Sequence, residues 1–169
     1  MDITIEKAKV SDAGEVLEYL KKVGGESDNL TFGAEGLPFD VKSEEKYIES
    51  LENSTTSAMF FAKCDGRIIG DASFSSVNRE RIKHRGELGI SVLKDYWVQG
   101  VGSRLMEAVI DFAENVAECE IIHLSVRSDN DRAINLYKKY GFEKIGQFNG
   151  YIKIDGEYIN CDFMNLYLN

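Results

Sequence analysis

The glycine-rich segment Gln99-Gly100-Val101-Gly102-Ser103 has residue types suited to binding an anion. An apolar strand pattern precedes it and a helical pattern follows, so it lies at a helix N-terminus, where backbone N–H groups lack intrahelical acceptors. Those groups and the positive end of the helix dipole attract negative charge. The alternative is a glycine helix start without a ligand, because an isolated Gly-x-Gly pair is weak evidence.

Two common phosphate-binding motifs do not fit this segment. A dinucleotide fingerprint needs a third glycine where Leu105 stands, and a P-loop needs Lys-Ser/Thr where Ser103-Arg104 stands. The sequence also has no Gly-x-Ser-x-Gly turn, the usual site of a serine nucleophile. The anion is therefore expected to be held in another way.

Metal and cysteine chemistry have few candidate residues. The three cysteines are widely spaced and form no Cys-x-x-Cys pair, and the chain has only two histidines, His84 and His123. We therefore predict no metal site and no disulfide framework. No cysteine has an identifiable activating neighbour, so we expect no covalent intermediate.

The elements that position the glycine segment follow from local patterns. In the first part of the chain we predict a strand over Ile3–Ala8, then a helix opened by an Asp12/Glu15 capping box and ended by Gly24-Gly25. A long loop over Glu26–Asp40 and a short helix capped by Ser43 follow.

The rest of the chain is predicted to form strands and two further helices. Helical spacing begins at Val101, and two-residue turns at Asp65-Gly66 and Asp155-Gly156 predict hairpins. The predicted strands and the last helix are Ala58–Lys63, Arg67–Phe74, Glu87–Val92, Ile121–Val126, the helix Asp131–Tyr140 ended by Gly141, the strand Phe142–Phe148, and a final strand running from Tyr158 to Leu168.

Composition limits the class of protein. The chain has 169 residues, of which 43% are hydrophobic, which fits one globular domain over 1–169. A net charge of −9 argues against a nucleic-acid partner, and neither a signal peptide nor a long apolar run is present. We expect a cytoplasmic protein without a membrane partner.

Two long segments carry a family resemblance. ELGISVLKDYWVQGVGSRLM and IIHLSVRSDNDRAINLYKKYGFEKIG resemble, in order and spacing, the central motifs of the GNAT acetyltransferases. The family's R/Q-x-x-G-x-G/A motif places Gly100 and Gly102 at its glycines and Trp97 where Arg or Gln is usual. The resemblance extends through the closing IDGEY hairpin, and covers the N-terminal part only in element order.

The resemblance implies the fold and the acyl donor. The fold would be α+β, a twisted, mostly antiparallel sheet with a central splayed parallel pair, Glu87–Val92 and Ile121–Val126, and about four helices. Acetyl-CoA would bind without a metal, its pantetheine arm in the gap. The implied cofactor-binding residues are Ile90, Ser91, Val92, Val98, Gln99, Gly100, Val101, Gly102, Ser103, Arg104, Asn130, Asn135 and Tyr137.

The resemblance also implies the chemistry, an acetyl transfer to a primary amine in a ternary complex. Tyr137 matches the tyrosine that protonates the departing thiolate, although its helical spacing with Ala133 and Tyr140 also fits a core residue. Glu87 is the candidate base, directly or through water, although a strand-end glutamate is often a solvated charge. A main-chain N–H near Val92 would polarise the acetyl carbonyl.

The acceptor stays open at this level. The loop Glu26–Asp40, with Glu26 and Asp28, and the hairpin Tyr151–Asn160 are expected to wall its site. A polyamine, an amino acid, an aminoglycoside or a protein N-terminus would fit, with the ribosomal-protein and polyamine acetyltransferases as the most similar branch. The protein would be a monomer or homodimer, and the alternative function is a non-catalytic CoA-binding sensor of the same fold.

Overall fold

A computed structural model, which describes residues 2–169, contains one seven-stranded sheet in the order β1-β2-β3-β4-β5-β7-β6. The strands are β1 Ile3–Lys7, β2 Ser57–Cys64, β3 Arg67–Ser76, β4 Arg85–Val92, β5 Ile121–Arg127, β6 Glu143–Ile154 and β7 Glu157–Tyr167. The helices are α1 Ala13–Glu26, α2 Val41–Leu51, α3 Val101–Asn115 and α4 Asp131–Lys139. The mixed fold expected from the family resemblance is confirmed.

The parallel pair β4–β5 is short. Its register contains only Arg85 with Ile121, Gly86 with Ile122 and Glu87 with His123. Beyond Glu87, β4 stays paired with β3 as far as Val92, whereas β5 stays paired with β7 as far as Arg127. The two strands therefore diverge at the centre of the sheet, as the family resemblance implied.

Helices cover both faces of the first half of the sheet. On one face, Phe112 of α3 packs edge-on against Phe60 and Phe74, with ring centroids 6.3 and 5.9 Å apart. On the other face α1 lies against β3 and α2 against β2, and the two helices pack against each other. Successive side chains of a strand point to opposite faces of the sheet. The side chains of β3 and β4 that do not face α3 therefore face α1.

The predicted capping box of α1 is wrong. The Asp12 carboxylate accepts from the backbone N–H of Lys9, 2.9 Å away, and pairs with Lys63 at 2.8 Å. The Glu15 carboxylate accepts from the N–H of Ile68 instead. Both acids therefore tie α1 to neighbouring segments of the chain.

Gly24 and Gly25 do not end α1, which continues to Glu26. A Cβ atom on Gly24 would lie 2.2 Å from the carbonyl oxygen of Gly33, so the glycine admits the following loop against the helix. Helix α2 is capped by Asp40, whose side chain accepts from the N–H of Ser43, and the predicted cap at Ser43 is wrong.

Both predicted hairpin turns are confirmed. Asp65-Gly66 and Asp155-Gly156 have positive φ at both residues, 50° and 77° in the first turn and 50° and 85° in the second. This is the backbone of a type I′ turn, which matches the twist of the strands it joins. The hairpin β6–β7 is longer than predicted and contains two register shifts.

None of the helices within residues 2–169 is both long and apolar enough to cross a membrane.

We expect Gly86→Ala to destabilise the fold at the point where β4 and β5 separate. A Cβ atom there would lie 2.1 Å from the ring of Phe74, which is buried against α3. Such overpacking lowers the free energy of unfolding by about 1–3 kcal/mol. Urea denaturation measures the change.

Gly146→Ala is the matched control, because a Cβ atom on this second strand glycine meets nothing within 4 Å. Equal stability losses in the two variants would contradict the packing described for Gly86.

Candidate active site

The divergence of β4 and β5 opens a cleft of about 930 Å³. The glycine segment and α4 line one end, and α1, α2 and the loop between them line the other. Most of the sequence-predicted site residues lie in it: Glu87, Ile90, Ser91, Val92, Val98, Gly100, Val101, Gly102, Ser103, Asn130 and Tyr137.

The glycine segment leaves its backbone donors free. Val98 and Gly100 have φ of 62° and 80°, and within residues 2–169 no backbone carbonyl accepts from the N–H groups of 98–103. Val98 is β-branched and 94% exposed, so its left-handed conformation is not explained by packing. Strained backbone next to unpaired N–H groups at a helix start is typical of an anion site.

Three predicted cofactor contacts do not lie in the cleft. The N–H of Arg104 donates to Gly100 O at 3.1 Å in the first turn of α3, and the Arg104 side chain donates to Ile3 O. The Gln99 side chain donates to Asp95 O. Asn135 is exposed on α4 and precedes Tyr137 by two positions, about 200° around the helix, so it faces away from the cleft.

Trp97, which replaces the usual Arg or Gln of the motif, contacts the cationic side chain of Arg132. Its indole N–H donates to Val92 O at 2.7 Å, and the guanidinium carbon of Arg132 lies 3.1 Å from its ring centroid. Arg132 lines the cleft close to the glycine segment. Sequence reasoning missed this residue, although a basic residue two positions after Asn130, in the first turn of α4, was a usable signal.

Tyr137 is a buried residue that borders the cleft. It is 6% exposed, and its ring lies tilted against Phe142 with centroids 5.8 Å apart. Burial raises the pKa of Tyr137 well above its ordinary value, and the nearby Arg132 offsets only part of that rise. The hydroxyl group is therefore protonated at neutral pH and can donate a proton.

Glu87 is the last residue of β4 that pairs with β5, opposite His123, and its exposed side chain lines the cleft. Burial lowers the pKa of His123, while the charge of Glu87 opposes that change and Arg85 adds to it. Glu87 thus lies where the two strands begin to diverge, as predicted, in contact with water.

Asp71 is a second acid in the cleft, and sequence reasoning missed it. It lies on β3 directly opposite Ser91, whose hydroxyl donates to Asp71 Oδ1. The Tyr19 hydroxyl of α1 is 2.8 Å from the Ser91 oxygen. Burial raises the pKa of Asp71 to about 6, although hydrogen bonds from Ser91 and Tyr19 act against the rise. An acid inside the apolar strand RIIGDASF was the available signal.

Neither of the two acids predicted to attract the acceptor, Glu26 and Asp28, lines the cleft. The Glu26 carboxylate accepts from the N–H of Lys94 at 2.7 Å, and the backbone oxygen of Asp28 accepts from Arg127. Several loop residues and Tyr151 of the closing hairpin line the cleft.

Within residues 2–169 no group of three or more His, Cys, Asp or Glu side chains is arranged to hold a metal ion.

Comparison with known proteins gives one family. The sequence model of the acetyltransferase (GNAT) family matches residues 29–142. The chain is 33% identical to an L-amino acid N-acetyltransferase of Escherichia coli over 122 residues, 72% of this chain and 75% of that protein. It is 28% identical to a spermidine N(1)-acetyltransferase of the same species over 113 residues, 64% of this chain and 60% of that protein.

Solved structures agree with this comparison. A GNAT-family acetyltransferase from Streptococcus pneumoniae superposes with a TM-score of 0.95 at 27% identity, over 99% of this chain and 100% of that one. A Salmonella typhimurium protein solved with acetyl-CoA superposes with a TM-score of 0.85 at 19% identity, over 100% of this chain and 95% of that one. At the lower identity the likeness is one of fold.

The burial of Asp71 predicts a pH-dependent stability difference between the wild type and Asp71→Asn. The pKa of Asp71 rises from an ordinary 3.8 to about 6, so the folded state holds its proton more tightly than the unfolded state. The contribution of Asp71 to the free energy of unfolding is largest below pH 3.8 and is lost as pH rises through about 6. Relative to the variant, the wild type loses up to about 3 kcal/mol over that window.

Thermal denaturation of both proteins from about pH 4 to about pH 7.5 measures the difference, and the other titrating groups cancel in it. A difference independent of pH would show that the Asp71 carboxylate is well solvated.

Proposed function

The chain belongs to the acetyltransferase (GNAT) family, and we propose that it transfers the acetyl group of acetyl-CoA directly to a primary amine within a ternary complex. The observation that carries this proposal is the gap between β4 and β5, which leads from free N–H groups at the start of α3 to buried acids near α1. A donor and an acceptor can thus approach the same point from opposite ends.

The donor end fits the phosphates and the pantetheine arm of acetyl-CoA. The N–H groups of 98–103 supply donors for the pyrophosphate, and Arg132 adds a cation that Trp97 orients. The main chain of Ile90 and Val92 borders the gap where β5 no longer pairs with β4. Amide-rich pantetheine would form hydrogen bonds there in place of the missing strand, and Val92 O already accepts one bond from Trp97.

Tyr137 is proposed as the acid that protonates the coenzyme A thiolate. Its hydroxyl borders the same cleft, and burial keeps it protonated, so it can release a proton only as negative charge develops on sulfur. The proton of the attacking amine would pass to a carboxylate of the cleft, either Glu87, directly or through water, or Asp71.

Direct transfer is supported by the position of the cysteines. All three, Cys64, Cys119 and Cys161, are buried, and none lines the cleft. Burial also raises the pKa of Cys119 and Cys161, which disfavours their thiolates. An acetyl-cysteine intermediate therefore has no suitable residue.

The remaining parts of the proposal concern partners and location. The acceptor is an amine, and the two relatives named above are an L-amino acid N-acetyltransferase and a spermidine N(1)-acetyltransferase. We propose a cytoplasmic monomer or homodimer without a membrane partner. The net charge of −9 also argues against a nucleic-acid partner. A CoA-binding sensor is disfavoured because the relatives are enzymes.

We expect Tyr137→Phe to lower turnover by about 10²- to 10⁴-fold while acetyl-CoA affinity stays nearly unchanged, because the hydroxyl acts only as the carbon–sulfur bond breaks. Thiol release with acetyl-CoA and a panel of primary amines measures turnover, and calorimetric titration measures affinity. Thiol release by the wild type also excludes the sensor.

Tyr158→Phe is the matched control, since this tyrosine is 72% exposed and lies outside the cleft. If Tyr137→Phe keeps at least half of the wild-type turnover where chemistry limits the rate, Tyr137 is a packing residue.

A further inference from the structure

The end of the cleft that α1 and α2 line, its inner end, has polar groups that the proposed acetyl-CoA contacts do not use. Asp71 and Ser73 of β3 and Glu44 and Tyr47 of α2 line it. Apolar side chains from α1 and β2 form the walls around them: Val16, Leu20, Val23 and Met59. This end of the cleft is therefore an apolar pocket with acidic groups inside it.

Asp71 is held in place by a chain of hydroxyl groups. The Ser91 hydroxyl donates to its carboxylate, and the Tyr19 hydroxyl lies 2.8 Å from the Ser91 oxygen. Tyr19 is itself buried in the core. The orientation of Asp71 is thus fixed by α1 and β4, while part of its side chain remains open to the cleft.

Glu44 lacks a partner in the folded chain. Its residue is 5% exposed, and within residues 2–169 its carboxylate forms no hydrogen bond and no ion pair. Burial raises its pKa, and its charge contributes to the raised pKa of Asp71. An unpaired carboxylate that faces an apolar cleft favours a cationic ligand, because charges drawn away from water in proteins are normally paired.

Basic groups are absent from this end of the cleft. Among the cleft-lining residues of 2–169 the one basic side chain is Arg132, which is stacked on Trp97 near the glycine segment. An acceptor carboxylate close to the amine would therefore meet Asp71 and Glu44 with nothing to neutralise it. Like charges brought together in this way disfavour binding.

We infer that Asp71 binds the acceptor as an ammonium ion and takes its proton during transfer, and that Glu44 selects an aliphatic amine with a further positive charge over an amino acid. The inference rests on the proposed acetyl transfer. Glu87, at the exposed edge where β4 and β5 diverge, then attracts the amine without receiving its proton.

The transfer forms one carbon–nitrogen bond and breaks one carbon–sulfur bond. The bound ammonium first loses one proton to water, which gives its nitrogen a lone pair. That nitrogen bonds to the thioester carbon, the carbonyl π electrons move to oxygen, and the nitrogen again becomes a substituted ammonium. Its proton passes to the Asp71 carboxylate. The carbonyl re-forms as the carbon–sulfur bond breaks, and the thiolate takes a proton from Tyr137. Asp71 then releases its proton to water, and the Tyr137 phenolate takes one from water.

Four amines of similar chain length test the inference: 1,4-diaminobutane, butylamine, 4-aminobutanoate and L-2-aminobutanoate. We expect kcat/KM for the diamine to exceed that for either carboxylate-bearing probe by about tenfold or more. Glu44→Gln should bring the diamine and butylamine close together, whereas Glu45→Gln, an exposed neighbour on α2 outside the cleft, should not.

Asp71→Asn should lower kcat/KM for every accepted probe by about 10²-fold or more, with acetyl-CoA affinity unchanged. Wild-type kcat/KM should also fall below about pH 6, where Asp71 is protonated, and the variant should lack that decline. The other titratable groups that face Asp71 are Glu44 and Tyr47 of α2 and Tyr19 of α1.

Tyr19→Phe provides a second test if Asp71→Asn does not fold. Its hydroxyl lowers the pKa of Asp71, so its loss should move the acidic decline to higher pH and leave acetyl-CoA affinity unchanged. An unmoved decline would contradict the role of Asp71, as would an Asp71→Asn variant within threefold of the wild type.

The outcomes also separate this inference from the proposed function. If acetyl-CoA binds but none of the four probes is acetylated, or if an amino acid probe is preferred, the inference is wrong and the proposed function stands. If acetyl-CoA does not bind, the proposed function itself is wrong.

Discussion

The interaction on which the site depends is the interrupted pairing between β4 and β5. After three residue pairs the strands diverge, because β4 follows β3 and β5 follows β7. The inner edge of β4 is then left without a strand partner in the middle of the sheet. Backbone polar groups away from water need hydrogen-bond partners, so this edge favours a ligand with an amide backbone of its own. Gly86, packed against Phe74, lies where the divergence begins.

The cleft separates two kinds of charge along its length. Free N–H groups and Arg132 make the glycine end positive, and Asp71, Glu44 and Glu87 make the other end negative. In the proposed reaction, this charge separation directs an anionic donor and a cationic acceptor to opposite ends of the cleft. Tyr137 of α4 borders the cleft in a buried position that keeps its hydroxyl protonated. The proposed binding, orientation and proton transfer thus all depend on the same divergence of strands.

Sequence patterns predicted those parts of the site that depend on local structure. The glycine segment, the type I′ turns and the diverging strands are encoded within short stretches or matched the family motifs. Asp71 was missed because its partners, Ser91 and Tyr19, become neighbours only through strand register and helix packing. The caps at Glu15 and Ser43 were wrong because Ile68 and Asp40 provided competing partners. The motif does not give the rotation of α4 relative to the cleft, and Asn135 faces away from the cleft.

Backbone hydrogen exchange with and without acetyl-CoA tests the central claim, that the cofactor occupies the gap between β4 and β5. Bound cofactor should slow exchange most at the N–H groups of 98–103, which have no backbone acceptor within residues 2–169, and next along the inner edge of β4 near Ile90 and Val92. The outer hairpin turn at Asp155-Gly156 should be unaffected. Protection confined to regions outside the cleft, or no protection of 98–103 at saturating acetyl-CoA, would contradict the account.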